Sequence, residues 1–415
     1  MKVFTKLIFF VFLLSATGLS AQSLDDFGIK FSGFVKTDAI FDSRGNTSIR
    51  EGHFLLYPLP EQLDPNGDDI NEHSQFSIFS IQSRLAGTIT GPDVLGAKSS
   101  GRIEGAFFGS TDATINTFRL RHAFVKLDWE NTTFLAGQTW NIMFVEQCFP
   151  GVVSFNTGAP FQPFARNPQL RLTQRMGGLT LDFAAMAQRD FTNTGPVGGS
   201  HTYLKNAVIP DLGLRATVNL GTNSVLGVVG EYKMLKPRIQ TTAGYKTDEL
   251  VSSYAAMGFM KLWLDPVTIK MEGVYGQNLT NVTMLGGYGV SAFDPETMQE
   301  TYTPTNTMSA WADISTGKKV EVGLFVGYSK NMGFADDLEI APNDGYLYWA
   351  RGANIDQLLR VSPRVVWNIN KVRFAGEIEY TSAAYGTPDA QDKFMVKDTE
   401  TYANIRGLIA CYIFF

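Results

Sequence analysis

Two segments constrain this chain more than anything between them. It begins with Lys2 and Lys6 beside an apolar run, Leu7 through Leu14, followed by Ser15, Thr17, Ser20 and Ala21, and it closes on Tyr412-Ile413-Phe414-Phe415, a strand-like segment with a terminal aromatic residue. The first segment reads as a cleavable secretory signal, residues 1–21, cut between Ala21 and Gln22. Its apolar run is too short to span a bilayer, and no later stretch offers the roughly 18 consecutive apolar residues of a transmembrane helix. An exported chain of this kind can enter a membrane only as a closed barrel, because helices and closed barrels alone satisfy every backbone group in lipid. The expectation is a single β-barrel domain over residues 22–415, in the outer membrane of a bacterium.

Composition agrees. Removing Lys2 and Lys6 from the 35 basic residues leaves 33 against 40 acidic ones, a net charge of about −7, which speaks against nucleic acid as a partner. The 40 glycines, 31 phenylalanines and 15 tyrosines suit strands that alternate a lipid face with a watery one. The two cysteines, Cys148 and Cys411, fall in an expected loop and in the last strand. They are expected not to pair, and their spacing offers neither a disulfide framework nor a metal site.

Turn chemistry divides the chain into short and long connections. The short ones are Gly91-Pro92-Asp93, Glu130-Asn131, Gly177-Gly178, Gly221-Thr222-Asn223, Asp265-Pro266, Gly317-Lys318 and Asn370-Lys371, each between runs rich in β-branched and aromatic residues. Longer polar segments alternate with them, at 43–74, 141–167, 191–206, 281–304, 331–356 and 385–398. The pattern predicts an all-β fold, a sixteen-stranded antiparallel transmembrane β-barrel. Its strands are 29–42, 75–90, 98–110, 115–129, 132–141, 168–177, 178–190, 207–220, 223–236, 249–264, 267–280, 305–316, 318–330, 357–368, 371–384 and 399–415. A barrel of about this size leaves an aqueous channel, whereas roughly eight strands leave only a filled interior. No repeat of about 20 to 50 residues is visible, so the chain reads as one domain.

Period-two alternation assigns the faces. Phe79, Ile81, Leu85 and Ile89 oppose Ser80, Gln82, Arg84 and Thr88; Phe118, Leu120 and Phe124 oppose Arg119 and Arg121; Leu170 and Leu172 oppose Arg171, Thr173 and Arg175. The apolar sets belong to lipid, which leaves the arginines in the lumen. Parity also places Arg102, Glu104, Asp182, Arg215, Arg360, Arg364, Arg373 and Arg406 inside, with any β-bulge reversing it locally. Inward arginines favour anions, and a guanidinium binds carboxylate or phosphate bidentately. The pore-lining, anion-binding candidates are therefore Arg84, Arg102, Arg119, Arg121, Arg171 and Arg175. The competing reading is a set of ladders with Glu104, Asp182, Glu377 and Glu379 that only stiffen the wall.

Segment 141–167 carries Phe144, Phe149, Phe155, Phe161 and Phe164, with Glu146 and Arg166 its only charges. So apolar a loop is expected to fold inward and narrow the pore, Glu146 facing the arginine wall; the alternative is a loop over the rim or on a neighbouring subunit.

The run Phe118-Arg119-Leu120-Arg121-His122-Ala123-Phe124-Val125, then Thr133-Phe134-Leu135-Ala136-Gly137-Gln138-Thr139-Trp140, resembles the DcaP-like porins of the bacterial outer membrane. The specific likeness covers about residues 75–190. It implies a trimer of sixteen-stranded barrels with an arginine-lined constriction favouring small organic anions such as dicarboxylates. It further implies Arg119 and Arg121 as lumen residues and Gly137-Gln138-Thr139-Trp140 as the strand leading into the constriction loop. One departure stands out: members of that family can carry a coiled-coil extension before the barrel, and here only Gln22 to Gly28 precede the first strand. Trimerisation then rests on the wall, where parity puts Gly33, Ser83, Gly101, Gly105, His122 and Lys126 outward on the first four strands.

Other chemistry is weak. His53, His73, His122 and His201 form no metal-ligand spacing, and no nucleophile motif accompanies them, although His53 or His73 could meet Ser74 or Asp69 in an outer-membrane hydrolase. Asp64-Pro65-Asn66-Gly67-Asp68-Asp69 lacks the glycine position and bidentate Glu of a calcium loop and reads as a solvated tip, with divalent bridging to lipopolysaccharide as its possible use. No cofactor, metal or catalytic residue is expected. The leading function is a passive diffusion channel for small anionic solutes. Its rivals are a structural or adhesive barrel with an occluded lumen and, more remotely, the hydrolase.

Overall fold

The computed structural model describes residues 27–341 and 345–415, so the expected signal segment 1–21 lies outside the described residues. Sixteen wall strands follow one another around a single sheet. They are β1 Gly28–Asp42, β2 in two pieces Gln75–Phe79 and Arg84–Thr90, β3 Lys98–Ala106, β4 Arg119–Asp128, β5 Thr132–Trp140, β6 Arg166–Met176, β7 Leu179–Met186 and β8 Asp211–Asn219; then β9 Val225–Leu235, β10 Val251–Leu264, β11 Val267–Gln277, β12 Glu300–Thr316, β13 Val320–Phe334, β14 Ile355–Ile369, β15 Val372–Asp389 and β16 Met395–Phe414. Each pairs antiparallel with the next, and β1 closes the sheet against β16, Phe34 facing Phe414 and Asp42 facing Arg406. Closure leaves no free edge, the condition for a sheet in lipid.

All seven short turns separate the strands they were expected to separate. Several strand ends moved. The hairpin of β15 and β16 runs past a bulge near Tyr385 to pair Asp389 with Met395, shrinking the expected loop 385–398 to a few residues. Before β8, residues expected to begin a strand at 207 belong instead to a short helix, α1 Thr202–Ala207, ended by Val208 in the left-handed region.

Two parity assignments are corrected. In β4, Glu104 of β3 faces His122 while Gly105 faces Leu120, so Arg121 is an extra, bulged residue. The bulge turns Arg121 and His122 both inward and carries Phe124 and Lys126 to the inner face, leaving Leu120, Ala123 and Val125 outside. His122 and Lys126 therefore give no support to a subunit interface. In β2 the strand breaks at 80–83, where the Ser83 amide donates to the Ser80 carbonyl, and Phe79 and Ile81 are buried inside while Phe76 and Ile78 face out.

The outer wall carries an exposed apolar band: Leu170, Leu172, Leu214, Val228, Val322, Val365, Ile378 and Ile409. Water-exposed surfaces do not carry apolar belts of that extent, and lipid requires them. The inside is not an empty tube. Three connections fold into it: the hairpin Asn46–Ile49 with Phe54–Pro58, residues 141–165, and residues 278–285. They bury Phe54, Phe108, Phe155, Phe161, Phe164, Leu279 and Val282 in one continuous core within the barrel.

Candidate constriction site

The inward face of β3 presents Arg102 and Glu104, and the β4 bulge aims Arg121 at the same carboxylate. Glu104 accepts from Arg121 Nε at 2.8 Å and Arg102 Nη2 at 2.6 Å, with Arg84 Nε at 3.3 Å. A second centre lies just beyond β7. There Asp190 accepts from Arg166 Nε at 2.9 Å and Nη2 at 2.6 Å and is also paired with Arg119. Burial pushes the Asp190 carboxyl up, but Arg166, Arg119 and Arg50 outweigh it and hold its pKa at about 2.

Between the two centres stands the Phe108 ring, with the guanidinium carbons of Arg50, Arg121 and Arg166 at 4.4, 5.4 and 5.9 Å from its centroid. Arg50, from the inward hairpin, is wholly buried, and its three guanidinium nitrogens have no hydrogen-bond partner among the described residues. Desolvation lowers its pKa to about 9, Asp190 opposing and Arg119 and Arg166 reinforcing. The cluster thus gathers six arginines around two carboxylates, an excess of positive charge in a poorly hydrated place.

Loop 141–165 crosses from this wall to the opposite one. The amides of Val153 and Ser154 donate to the Glu377 carboxylate at 2.6 and 3.2 Å, Asn156 Nδ2 donates to Glu379 at 3.0 Å, and Arg360 Nη1 donates to the Ala159 carbonyl at 2.6 Å. Ser309 Oγ donates to the Phe161 carbonyl at 2.9 Å. Beneath the loop, on the short-turn side, remains a cavity of about 350 Å³ lined by Arg84, Arg121, Arg373, Glu146, Trp140 and Phe149 among others.

Each expected site residue can now be placed. Arg84 and Arg102 keep 25% and 34% of their side chains exposed, whereas Arg121 keeps 2%. Arg171 donates to the Trp140 carbonyl at 2.7 Å and Arg175 to Thr133 Oγ1 at 2.9 Å; neither has a carboxylate within ion-pair distance among the described residues. Arg119 and Arg121 face inward as expected but are locked in ion pairs, because the bulge and the Asp190 segment enclose them. Arg166 is not a loop residue: it opens β6 and is sequestered on Asp190. Glu146 is exposed, borders the cavity, and makes no ion pair among the described residues. The ladder reading holds for part of the wall, as Arg215 with Asp182 at 2.8 Å and Arg364 with Asp313 at 2.6 Å. Glu377, expected in such a ladder, holds the loop amides instead.

Asp190 and Arg50 were missed. The signal for Arg50 was present in Phe54-Leu55-Leu56-Tyr57, an apolar run inside loop 43–74 as telling as the phenylalanines of 141–167. Cys148 is buried against the carbonyls of Met260 and Met271, and Cys411 is exposed on β16; both are free thiols.

No family model and no curated protein matches the sequence. Solved structures do. The outer membrane channel DcaP of Acinetobacter baumannii superposes with a TM-score of 0.67 over 95% of this chain and 99% of that one, at 15% identity. This chain has the DcaP-type porin fold. OmpT, an outer membrane protein of Vibrio cholerae in its trimer form, superposes on this chain with a TM-score of 0.55 over 94% of this chain and 100% of that one, at 10% identity. The anion-selective porin from Comamonas acidovorans follows, with a TM-score of 0.53, 94% and 100% coverage and 11% identity. With this fold and its exposed apolar band, the chain is a barrel of the bacterial outer membrane.

Proposed function

We propose that the protein is a passive, anion-preferring diffusion porin that admits small organic anions such as dicarboxylates past an arginine-lined constriction, and that it is not an enzyme. The observation that carries this reading is the excess of guanidinium groups around Glu104 and Asp190, set beside the inward loop 141–165. A water-filled passage bordered by fixed positive charge lowers the barrier for anions and raises it for cations. Arg84 and Arg102 retain contact with open water, so they are the residues of the wall best placed to act on a passing solute; Arg119 and Arg121 serve to fix the frame. The anion-selective porin among the structural neighbours supports the reading, and the trimeric neighbour supports a homotrimer. The signal segment 1–21 and partnership with lipopolysaccharide belong to the same proposal.

The test is the reversal potential across a planar bilayer in a potassium chloride gradient. The parent is expected to prefer chloride, and Arg84→Glu with Arg102→Glu to shift the potential toward potassium. A double variant with the parent's selectivity would remove these two residues from the permeation path. A second reading has its own observation, the apolar core formed by three loops within the barrel. It makes the protein a structural or adhesive barrel with an occluded lumen, and absence of conductance from correctly folded protein would favour it.

A further inference from the structure

Outside the lumen, where β6, β7 and β8 reach the long-loop end, the wall holds a pocket of about 370 Å³ that the permeation reading does not use. Pro168, Val208, Ile209 and Pro210 supply apolar lining, Arg189 and Lys205 supply the charge, and the His201 ring stands beside them. Parity explains the arrangement. Asp190 turns inward to the arginine cluster, so its neighbour Arg189 turns out, while α1 and its N-cap, leading into β8, bring Lys205 and His201 to the same pocket. All three basic side chains are exposed, none is ion-paired within 4 Å among the described residues, and no carboxylate lines the pocket. Val208 is 86% exposed and Ile209 38%, directly above the lipid-facing Phe183, Leu214 and Leu170.

We propose that this pocket binds the phosphorylated headgroup of an outer-leaflet lipid of the lipid A type. The chemistry is divided as such a lipid divides it. The cations stand at the level where phosphates lie, and the apolar lining continues into the band that faces acyl chains. Basic residues just outside the hydrocarbon layer attract anionic headgroups, and exposed aliphatic residues beside them are stable only when lipid covers them. A soluble anion would have no use for Val208 and Ile209, and a protein partner would have to tolerate two unpaired cations at the membrane boundary.

The test uses the full barrel purified in mild detergent, with native mass spectrometry reading retention of added bisphosphorylated lipid A. Arg189→Ala with Lys205→Ala is expected to weaken retention on the order of thirtyfold, at roughly a factor of five for each surface charge removed. Val208→Asp is expected to weaken it independently through the apolar lining, and Lys246→Ala, on another exposed loop, to leave it unchanged. Lipid A stripped of its phosphates should bind the parent no better than it binds the double variant, and inorganic phosphate at millimolar concentration should not displace the lipid. Folding of every variant is checked by heat-modifiable mobility. Equal retention by parent and double variant, indifference to the phosphates, or displacement by free phosphate would each overturn the proposal. None of these outcomes depends on the channel's selectivity.

Discussion

The decisive single residue in the arginine cluster is Asp190, which closes the expected strand 178–190 and was given no role there, while in the structure it stands four positions beyond the end of β7. It is the common partner of Arg119 and Arg166, and its substitution strands two guanidinium groups that have little access to water. Asp190→Asn is expected to destabilise the barrel by about 3 to 5 kcal/mol, the usual cost of removing one member of a buried pair, read from thermal unfolding in detergent. The pH dependence has a definite sign. The folded carboxyl has a pKa of about 2, below its unfolded value, so its contribution is complete above about pH 4 and is lost as pH falls toward 2. That contribution is on the order of 2 to 3 kcal/mol, from a depression of nearly two units. The loss between pH 4 and 2 should be smaller in Asp190→Asn; equal acid sensitivity in both proteins would show that the pair does not govern it. At this scale the sequence revealed which residues face inward but not which ones stay wet. Arg84 and Arg121 share a face, a partner and a cavity, yet a bulge invisible to alternation buries Arg121 while Arg84 stays partly exposed.

Among elements, the loop 141–165 was legible because phenylalanine and proline are too frequent there for a solvated connection. Its depth was not legible, since that depends on partners more than 200 residues away, such as Glu377 and Arg360. Of its two companions, the hairpin at 46–58 was missed despite the run Phe54-Leu55-Leu56-Tyr57, and the turn at 278–285 because polar residues are interspersed with its apolar ones. The loop has a point at which it can be pushed without removing any charge. Gly327 of β13 lies under Phe161, and a Cβ there would come within 2.6 Å of the ring. Gly327→Val is therefore expected to lift the Phe161 segment from the wall and to raise single-channel conductance, while the selectivity proposed for Arg84 and Arg102 on the far side is expected to persist. Unchanged conductance in a correctly assembled variant would place the narrowest point elsewhere. Deleting residues 151–159 is the stronger perturbation. It leaves Glu377, Glu379 and Arg360 without their loop partners, so a lower unfolding temperature is expected together with larger conductance and passage of larger neutral sugars.

For the molecule as a whole, sixteen strands, their order and their closure were legible because turn residues and alternation are local signals, whereas association of subunits leaves a more diffuse mark. That mark is an asymmetry of tyrosine. Strands β1 to β8 contain none, the only tyrosines in that half being Tyr57 and Tyr203 in connections, while Tyr232, Tyr254, Tyr275, Tyr328 and Tyr380 ring the outer face of β9 to β15. Tyrosine gathers where barrel meets headgroups, so its absence from the middle of this half, β3 to β5, fits a stretch of wall covered by another subunit. The same half presents Gly101, Ala123 and Ala136 outward, small residues that let another wall approach closely. This argument replaces the one from His122 and Lys126, which point inward, and it centres the proposed trimer contact on β3 to β5. Ala123→Trp on β4 is expected to convert the trimer to monomers, measured by light scattering in mild detergent, because a bulky ring there holds the walls apart. Ala256→Trp, also outward but on β10 amid the tyrosines, is expected to leave the trimer intact. Dissociation by Ala256→Trp rather than Ala123→Trp would put the contact on the tyrosine-bearing side and reverse the inference drawn from the belt.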